Sequence, residues 1–137
     1  MRRVKSKTCS DTHRSGVAAA ETAVMLPVLL FLVFGAIELA NGIYLKQTLT
    51  LAAYEGVRSV TWPGATNADA HTRIAEVLSA RSVTDYDVEI VPEVTLTTER
   101  ATEITVRVSA PGATYSLGLP RLFDDVFLQG EACMVRQ

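Results

Sequence analysis

The sequence holds few of the residues that catalytic and metal sites need. Only two cysteines and two histidines occur among its 137 residues, and Cys9 and His13 both precede residue 17. The rest of the chain has one of each, which is too few for a zinc cluster or for a Cys and His nucleophile pair. A phosphate-cradling glycine motif is also absent. These absences argue against an enzyme, and no metal and no cofactor is expected.

Charged residues form neither a catalytic nor a nucleic-acid-binding pattern. The acid pairs Asp85 with Asp87 and Asp124 with Asp125 lie in turn-like sequence, where neighbouring acids are usually solvated. Beyond residue 45 there is no basic patch with interleaved aromatic residues. We therefore expect no nucleic-acid partner.

What the sequence does contain is an apolar run of membrane length. No charge occurs from Thr22 to Ile37, and the run resumes after Glu38 as far as Leu45. A helix that begins near Val17 would cross the roughly 30 Å of a bilayer's hydrocarbon core. An ordinary secretory signal peptide is the alternative, but its apolar part is about 7 to 15 residues long. Here the run passes directly into an amphipathic pattern, so we expect the span to stay attached.

The charges that flank the run predict an orientation. Basic residues dominate before it, with Asp11 as the only acid, and they are Arg2, Arg3, Lys5, Lys7 and Arg14. Basic flanks stay in the cytoplasm, which predicts an N-in, C-out orientation. Cys9 and Cys133 would then lie on opposite sides and could not form an internal disulfide. Cys133 is expected to be a small buried residue, with an intermolecular bridge or a free thiol as the alternatives.

The membrane helix is predicted to continue outward as a stem over residues 43–60. Apolar and small residues recur there at helical spacing, at Leu45, Leu49, Ala52, Ala53, Gly56, Val57 and Val60. The turn residues Pro63 and Gly64, which follow Trp62, would end the helix. The small-residue cluster can be read in two ways, as packing of the outer domain on its own stem or as contact between subunits.

The remaining residues predict a small α+β domain. A second helix is expected over residues 67–81, where Thr66 and Asp69 form a capping box and Ala70, Ile74, Val77 and Leu78 form the buried stripe. Alternation with period two predicts strands over residues 86–96 and 104–110, joined through residues 97–100, with Pro92 at a bulge or an edge. A loop over residues 111–125 and a last strand over residues 126–136 complete a three-stranded antiparallel sheet. Leu96 would lie on its buried face.

These patterns divide the chain into three parts. Residues 1–16 form a basic cytoplasmic leader, residues 17–62 the transmembrane and stem helix, and residues 63–137 the extracytoplasmic α+β domain. The outer domain is small for an independent core, so we expect it to depend on its own stem or on neighbouring subunits.

The start of the span has a specific chemical arrangement. Cleavage after Gly16 would give Val17 a cationic α-amine, and Glu21 would follow one helical turn later. A carboxylate at helix-centre depth costs on the order of 3 kcal/mol, so it calls for a partner or a shallow position. The amine of a neighbouring subunit could be that partner, and the pair would set the stagger between helices. Alternatively, Glu21 lies solvated among the lipid headgroups.

Several segments resemble the TadE-like family of pseudopilins from the tight-adherence (Tad, or Flp) pilus system. That family typically shows an Arg-x-Gly start, a Glu at the fifth mature position, a Leu-Pro in the span, a Phe-Gly-x-x-Glu near its end and an Ala-Ala-x-Glu-Gly-x-Arg stem motif. The counterparts here are Arg14-Ser15-Gly16, Glu21, Leu26-Pro27, Phe34-Gly35-Ala36-Ile37-Glu38 and Ala52-Ala53-Tyr54-Glu55-Gly56-Val57-Arg58. The resemblance is strong over residues 14–60 and weaker beyond, although residues 128–134 are similar to the family's C-terminal strand.

The resemblance implies a function and a set of site residues. A prepilin peptidase would cut between Gly16 and Val17, Glu21 would serve assembly or maturation, and Glu38 is the second acidic position, at a membrane interface or in an inter-helix hydrogen bond. The stem motif residues are Ala52, Ala53, Glu55, Gly56 and Arg58. The implied partners are the peptidase, other pilins or pseudopilins and the pilus assembly platform, with oligomers formed through the transmembrane and stem helix. Thr22 departs from the family, which usually has an apolar residue there, so the resemblance leaves open whether the protein enters the filament.

A function of another class fits the same sequence. A single-span envelope protein could hold an outward-facing binding domain without any role in a filament. Processing distinguishes the two, because only the pseudopilin is expected to begin at Val17.

Overall fold

The computed structural model describes residues 11–115 and 126–137 of the chain. Its elements are the helices α1 (Asp11–Ser59) and α2 (Asn67–Ser79), the strands β1 (Asp87–Val91), β2 (Glu103–Pro111) and β3 (Phe127–Val135), and a short 3-10 helix (Gly112–Tyr115). The predicted α+β class is confirmed, with a long apolar N-terminal helix, one further helix and a three-stranded antiparallel sheet. The chain divides into two units, with the boundary between Ala36 and Ile37.

The first unit contains the apolar part of α1. Its large side chains from Val24 to Phe34 are exposed, as expected of a surface that lipid would cover. Among the described residues, α1 is the one helix long and apolar enough to cross a membrane. It begins at Asp11, upstream of the predicted start near Val17, because no proline or β-branched run interrupts residues 13–16. Pro27 lies inside the helix and cannot donate to the carbonyl of residue 23.

The second unit uses the outer part of α1 as one wall of its core. The predicted stripe is confirmed, since all of its members are buried, namely Leu45, Leu49, Ala52, Ala53, Gly56, Val57 and Val60. The helix ends at Ser59, just before Trp62, Pro63 and Gly64. Gly64 has φ +88°, a backbone conformation that favours glycine, so the chain can turn sharply there.

Helix α2 covers one flank of α1. Its predicted capping box is present, with the Thr66 backbone N–H donating to Asp69 Oδ2 at 2.8 Å. Ala70, Ile74 and Leu78 are buried as predicted, while Val77 is only partly buried. The helix ends at Ser79 rather than at residue 81, because the chain turns at Ser82 with φ 59° and the Val83 N–H donates back to the Leu78 carbonyl.

The sheet has the order β1-β2-β3 and is antiparallel throughout. Central strand β2 alternates as predicted, with Ile104, Val106, Val108 and Ala110 buried. The predicted first strand was too long, since β1 ends at Val91. Pro92 has no N–H with which to continue the ladder, so the residues after it leave the sheet.

The early end of β1 also changes which side chains are buried. Val94 is still buried, but Leu96 is 71% exposed, so its predicted place on the buried face is wrong. Once the ladder ends, period-two alternation no longer fixes the face on which a side chain lies. In the predicted loop over residues 111–125, residues 112–115 form the 3-10 helix and residues 116–125 lie outside the described residues.

Strand β3 lies directly on the backbone of α1. A Cβ added at Gly130 would collide with the backbone of Leu49 and Thr50. Glycine is therefore required at this position so that strand and helix can approach each other.

Two polar side chains make hydrogen bonds to the loops of this unit, and neither role was predicted from the sequence. Arg136 is only 3% exposed, and its guanidinium donates to the carbonyls of Thr95 at 3.3 Å and Ala65 at 3.5 Å. Asn67 accepts a hydrogen bond from the Val94 N–H through Oδ1 at 2.8 Å and donates its own N–H to the Val94 carbonyl. Charge-assisted hydrogen bonds are among the stronger ones, so Arg136 helps to hold these two loops against the end of β3.

The approach at Gly130 gives a stability prediction. We expect Gly130→Ala to lower the free energy of unfolding by about 1–3 kcal/mol, because the added methyl must displace helix backbone. Thermal unfolding of the full chain in detergent, followed by circular dichroism, measures this loss. Gly35→Ala is the matched control, since an added Cβ there meets nothing within 4 Å among the described residues. Equal melting of both variants and the parent chain would contradict close packing at Gly130.

Candidate functional site: the membrane-boundary segment and the stem

The predicted processing residues lie in an exposed part of α1. Val17 is 55% exposed, and among the described residues nothing lies within 4 Å of a Cβ added at Gly16. A glycine inside a helix costs roughly 1 kcal/mol relative to alanine. Packing among the described residues does not require Gly16, so their fold gives no reason for a glycine at this position.

Glu21 lies one turn beyond Val17 on the same helix and is exposed. The neighbouring Thr22 satisfies its hydroxyl locally, since Oγ1 donates to the Ala18 carbonyl at 2.8 Å. Such a back-bond to the helix removes the need for an external partner. The departure of Thr22 from the family pattern is therefore compatible with an apolar environment.

Glu38 has very different surroundings from Glu21. It belongs to the second unit, and its side chain is 2% exposed. The two acidic positions of the predicted site thus lie in different units. Burial of a carboxylate is costly unless polar groups compensate it. The expected place of Glu38, at a membrane interface or in an inter-helix hydrogen bond, stays a prediction.

The small residues of the stem motif are used inside the chain. Ala52 and Ala53 are fully buried. A Cβ at Gly56 would lie 2.6 Å from Cγ1 and 2.7 Å from Cδ1 of Ile74, and 3.6 Å from Cγ1 of Val106. Gly56 therefore allows α2 and the sheet to pack tightly against α1. Of the two readings of this cluster, packing of the domain on its own stem is the one that the structure contains.

The charged residues of the stem motif join a small ion-pair network. Glu55 lies 3.9 Å from Arg58 and 3.4 Å from Arg73 of α2, and Arg73 also pairs with Glu76 at 2.9 Å. The hydrogen bond to Glu76, followed by that to Glu55, raises the pKa of Arg73 above its ordinary value. Arg73 is half exposed, so solvent screens these pairs and they add little stability. The Glu55–Arg73 pair is the member of this network that joins α2 to the stem helix.

A second charge row crosses the outer face of the sheet. Arg107 of β2 lies between Glu89 of β1 at 2.7 Å and Glu131 of β3 at 3.4 Å. The hydrogen bond to Glu89, together with the charge of Glu131, raises the pKa of Arg107. The register Glu89, Arg107, Glu131 places the three residues side by side, so one cation links all three strands.

Cys133 also lies on this outer face, which corrects the prediction that it would be buried. It is a free, exposed thiol, and its Sγ donates to Glu103 Oε1 at 3.1 Å. The prediction failed because β3 alternates with its even-numbered residues toward the core, and Cys133 has the opposite phase. The hydroxyl of Thr105 lowers the pKa of Cys133, but the hydrogen bond to Glu103, partial desolvation and the charges of Glu103 and Glu131 outweigh it. The net effect is a raised pKa.

These opposing effects predict the reactivity of the thiol. In a Cys9→Ser background, Glu103→Gln should lower the pKa of Cys133 and increase its rate of alkylation at pH 8, because more thiolate is present. Thr105→Val should have the opposite effect, because it removes the group that lowers this pKa. Both rates are measured with iodoacetamide on the full chain in detergent, across a pH series. Rates that coincide for the parent and both variants would contradict this account of the site.

No catalytic or metal arrangement emerges from the geometry of the described part of the chain. Within residues 11–115 and 126–137, no three side chains of the metal-binding types come together. The features that stand out are instead the exposed glycine and glutamate of the apolar helix, the small-residue stem, and the charged outer face of the sheet.

Comparison with known families gives a match to the model described as TadE-like protein over residues 16–58. The matched segment begins at Gly16 and ends at Arg58, so it includes both acidic positions and the whole stem motif. No curated protein and no solved structure matches the chain. The matched family is pilus-related and structural rather than enzymatic. The predicted resemblance is thus confirmed over residues 16–58, where the chain is similar to the TadE-like family.

Proposed function

We propose that this protein is a pseudopilin of a Tad/Flp pilus, a non-enzymatic subunit that a prepilin peptidase cuts between Gly16 and Val17. The observation that carries the proposal is the family match, which starts at a glycine that packing among the described residues does not require. An enzyme that recognises a small residue at the cut site explains why a helix-weakening glycine is present there.

The topology of the proposal follows from the apolar helix and its flanking charges. Residues 17–37 span about 32 Å as an α-helix, enough for the hydrocarbon core. The leader, residues 1–16, would stay in the cytoplasm and leave with processing. Residues 17–62 would then form the transmembrane and stem helix, and residues 63–137 the domain outside the inner membrane.

Glu21 gains a defined role once the leader is removed. The new α-amine of Val17 and the Glu21 carboxylate lie one turn apart on each helix, so neighbouring helices could pair them in alternation. Leaving one charge of a buried pair without its partner costs several kcal/mol, so the pair favours the axial register that brings both charges together, which lipid-facing residues do not specify. In this proposal Glu21 aligns subunits during assembly with other pilins or pseudopilins and the assembly platform.

Processing is the first test. Mass spectrometry of the protein extracted from membranes of cells with an active prepilin peptidase should find Val17 at the N-terminus. Only chains that retain residues 1–16 would exclude a processed pseudopilin and favour the single-span binding protein.

A substitution at the cut site tests recognition of the glycine. We expect Gly16→Val to keep α1 intact, because space around position 16 is open among the described residues. The processed fraction should fall by about tenfold or more, because valine would clash in a peptidase pocket built for a smaller residue. Immunoblots that resolve the two chain lengths measure that fraction. Gly35→Val is the control, since position 35 is equally open and lies away from the cut. Normal processing of Gly16→Val would count against the assignment of the bond.

The charge pair is tested by Glu21→Gln. We expect normal membrane insertion but loss of piliation, because removal of one partner of a buried pair costs about 3–5 kcal/mol per contact. Carbonate extraction measures insertion, and electron microscopy counts pili. Thr22→Val serves as the control on the same turn, since its hydroxyl bonds to the helix itself. Wild-type pilus numbers in Glu21→Gln would remove the proposed role of the carboxylate.

A further inference from the structure

Strand β3 is an outer strand of the sheet and has a free hydrogen-bonding edge among the described residues. At its two ends the Arg136 N–H donates to the Thr102 carbonyl, and the Gly112 N–H donates to the Val126 carbonyl. With the observed register, these bonds direct the even-numbered residues of β3 toward β2. The N–H and C=O groups that point to the outer edge therefore belong to Phe127, Gln129, Glu131, Cys133 and Val135.

The two outer strands differ in how well their edges are protected. Strand β1 has five residues and is followed at once by Pro92. Only Val88 and Ile90 direct their backbone groups outward there, since the alternate residues pair with β2. Strand β3 has nine residues and contains no proline and no lysine. Long outer strands without such residues are ready to pair with another strand.

Residues of the stem lie next to the outer edge of β3. Gly130 lies against the backbone at Leu49 and Thr50, and one depression is lined by residues of both the stem and the end of β3, including Tyr54, Arg58, Met134 and Val135. On the same flank of α1 the exposed side chains follow the helical spacing i, i+4, i+7, i+11, at Ile43, Gln47, Thr50 and Tyr54.

Helix α2 occupies the other flank of the stem. The Arg81 guanidinium lies 5.5 Å from the centre of the Tyr44 ring and donates to Thr48 at 3.4 Å, while Ile74 packs at Gly56. The flank beside β3 has no corresponding cover within the part of the chain that the structure describes. A fourth strand added to β3 would lie over Thr50 and Tyr54 and continue the sheet across the stem.

We infer that the outer edge of β3 and the stem stripe Ile43, Gln47, Thr50 and Tyr54 form an acceptor groove for an extended strand of a different protein. This inference does not depend on the pilus role. A single-span envelope protein with an outward-facing domain would use the same groove.

A second copy of this chain does not fit the groove. Pairing of β3 with β3 of a second copy in antiparallel register requires a twofold axis perpendicular to the sheet. The stem lies flat against the sheet, so this axis would make the two stems run in opposite directions. In the register centred on Glu131 it would also place this carboxylate directly opposite its own equivalent, and such like-charge pairs are destabilising. In head-to-tail pairing β3 would meet β1 of a second copy, and β1 has only two residues whose backbone N–H and C=O groups point outward.

Charge indicates the chemistry of the partner strand. Among the described strand residues, the outer face of the sheet carries the acids Asp87, Glu89, Glu103 and Glu131 against the one base Arg107, and Glu131 lies on β3 itself. A complementary strand would therefore present Lys or Arg on that face. Its alternate residues, which turn toward Thr50 and Tyr54, would be apolar or small, and main-chain hydrogen bonds would supply most of the affinity.

Site-specific photocrosslinking in living cells tests the groove on the full chain. The probe is p-benzoylphenylalanine, introduced singly at positions 129, 131 and 133, with position 89 on the opposite outer strand as the control. We expect one partner protein at all three positions and none at position 89. The crosslinked residues, mapped by mass spectrometry, should advance along one partner segment by two residues for each step of two in β3, as paired strands require.

A backbone variant supplies the second readout. Gln129→Pro removes an outward N–H that β2 does not use, so it should leave the fold intact. We expect it to reduce the adduct at position 133 by about tenfold, the factor that corresponds to one or two lost backbone hydrogen bonds. Gln129→Thr is the matched control and should retain the adduct, because threonine suits a strand. Circular dichroism of the purified variants verifies the fold.

Three results would overturn the inference. They are adducts with a second copy or within the same chain, partner residues that do not follow a strand register, and an adduct that Gln129→Pro leaves unchanged. Each is independent of whether the N-terminus is Val17, so failure of the groove and failure of the pseudopilin proposal can be told apart.

Discussion

The fold depends on how closely other elements approach one helix. At Gly130 a strand touches the backbone of α1, and at Gly56 the side chain of Ile74 occupies the space that any larger residue would need. At both contacts a glycine lets neighbouring elements pack directly against each other. A small domain needs such close packing because it has little other apolar surface to bury. The stem is therefore a structural member of the second unit as well as a connection to the apolar segment.

The surroundings of helix α1 change along its length. Up to Ala36 its apolar side chains are exposed, and from Leu45 onward it buries a narrow stripe while polar residues occupy the remaining surface. A helix suits both situations because all its interior backbone groups are satisfied within the segment. The functional proposal uses the first environment, where Glu21 is the one acid between residues 17 and 37. The proposed acceptor groove uses the second, where one flank of the stem lies uncovered beside β3.

Features with a strong period or a strong chemical rule could be predicted from the sequence. The apolar run, the stem stripe, the capping box of Thr66 and Asp69 and the alternation of β2 each repeat a local signal several times, and all are present in the structure. The family resemblance rests on the same N-terminal part of the chain, which is the part that the family model matches. The processing bond and the roles of Glu21 and Glu38 stay predictions, because their chemistry needs partners outside the chain.

Features set by tertiary context could not be predicted. The face of Cys133 depends on the phase of β3 relative to the core, and no short run of residues reveals that phase. Leu96 continued an apolar alternation, but the ladder had already ended at Val91. The pairing of Arg73 with Glu55 joins two helices, and the contacts of Arg136 join residues as distant as Ala65. A charged residue near the end of a chain carries no sequence signal of burial.

The position of Arg136 has a practical consequence for work on this protein. The Ala101 and Gln137 N–H groups donate to the carbonyls of Arg136 and Thr61, so residues 136 and 137 tie two loops to the end of β3. Replacing Arg136 by alanine would withdraw a buried cation from both loops at once. Gln137 lies beside Trp62 near the end of the stem helix, so an internal exposed turn is the safer place for an epitope or fluorescent label.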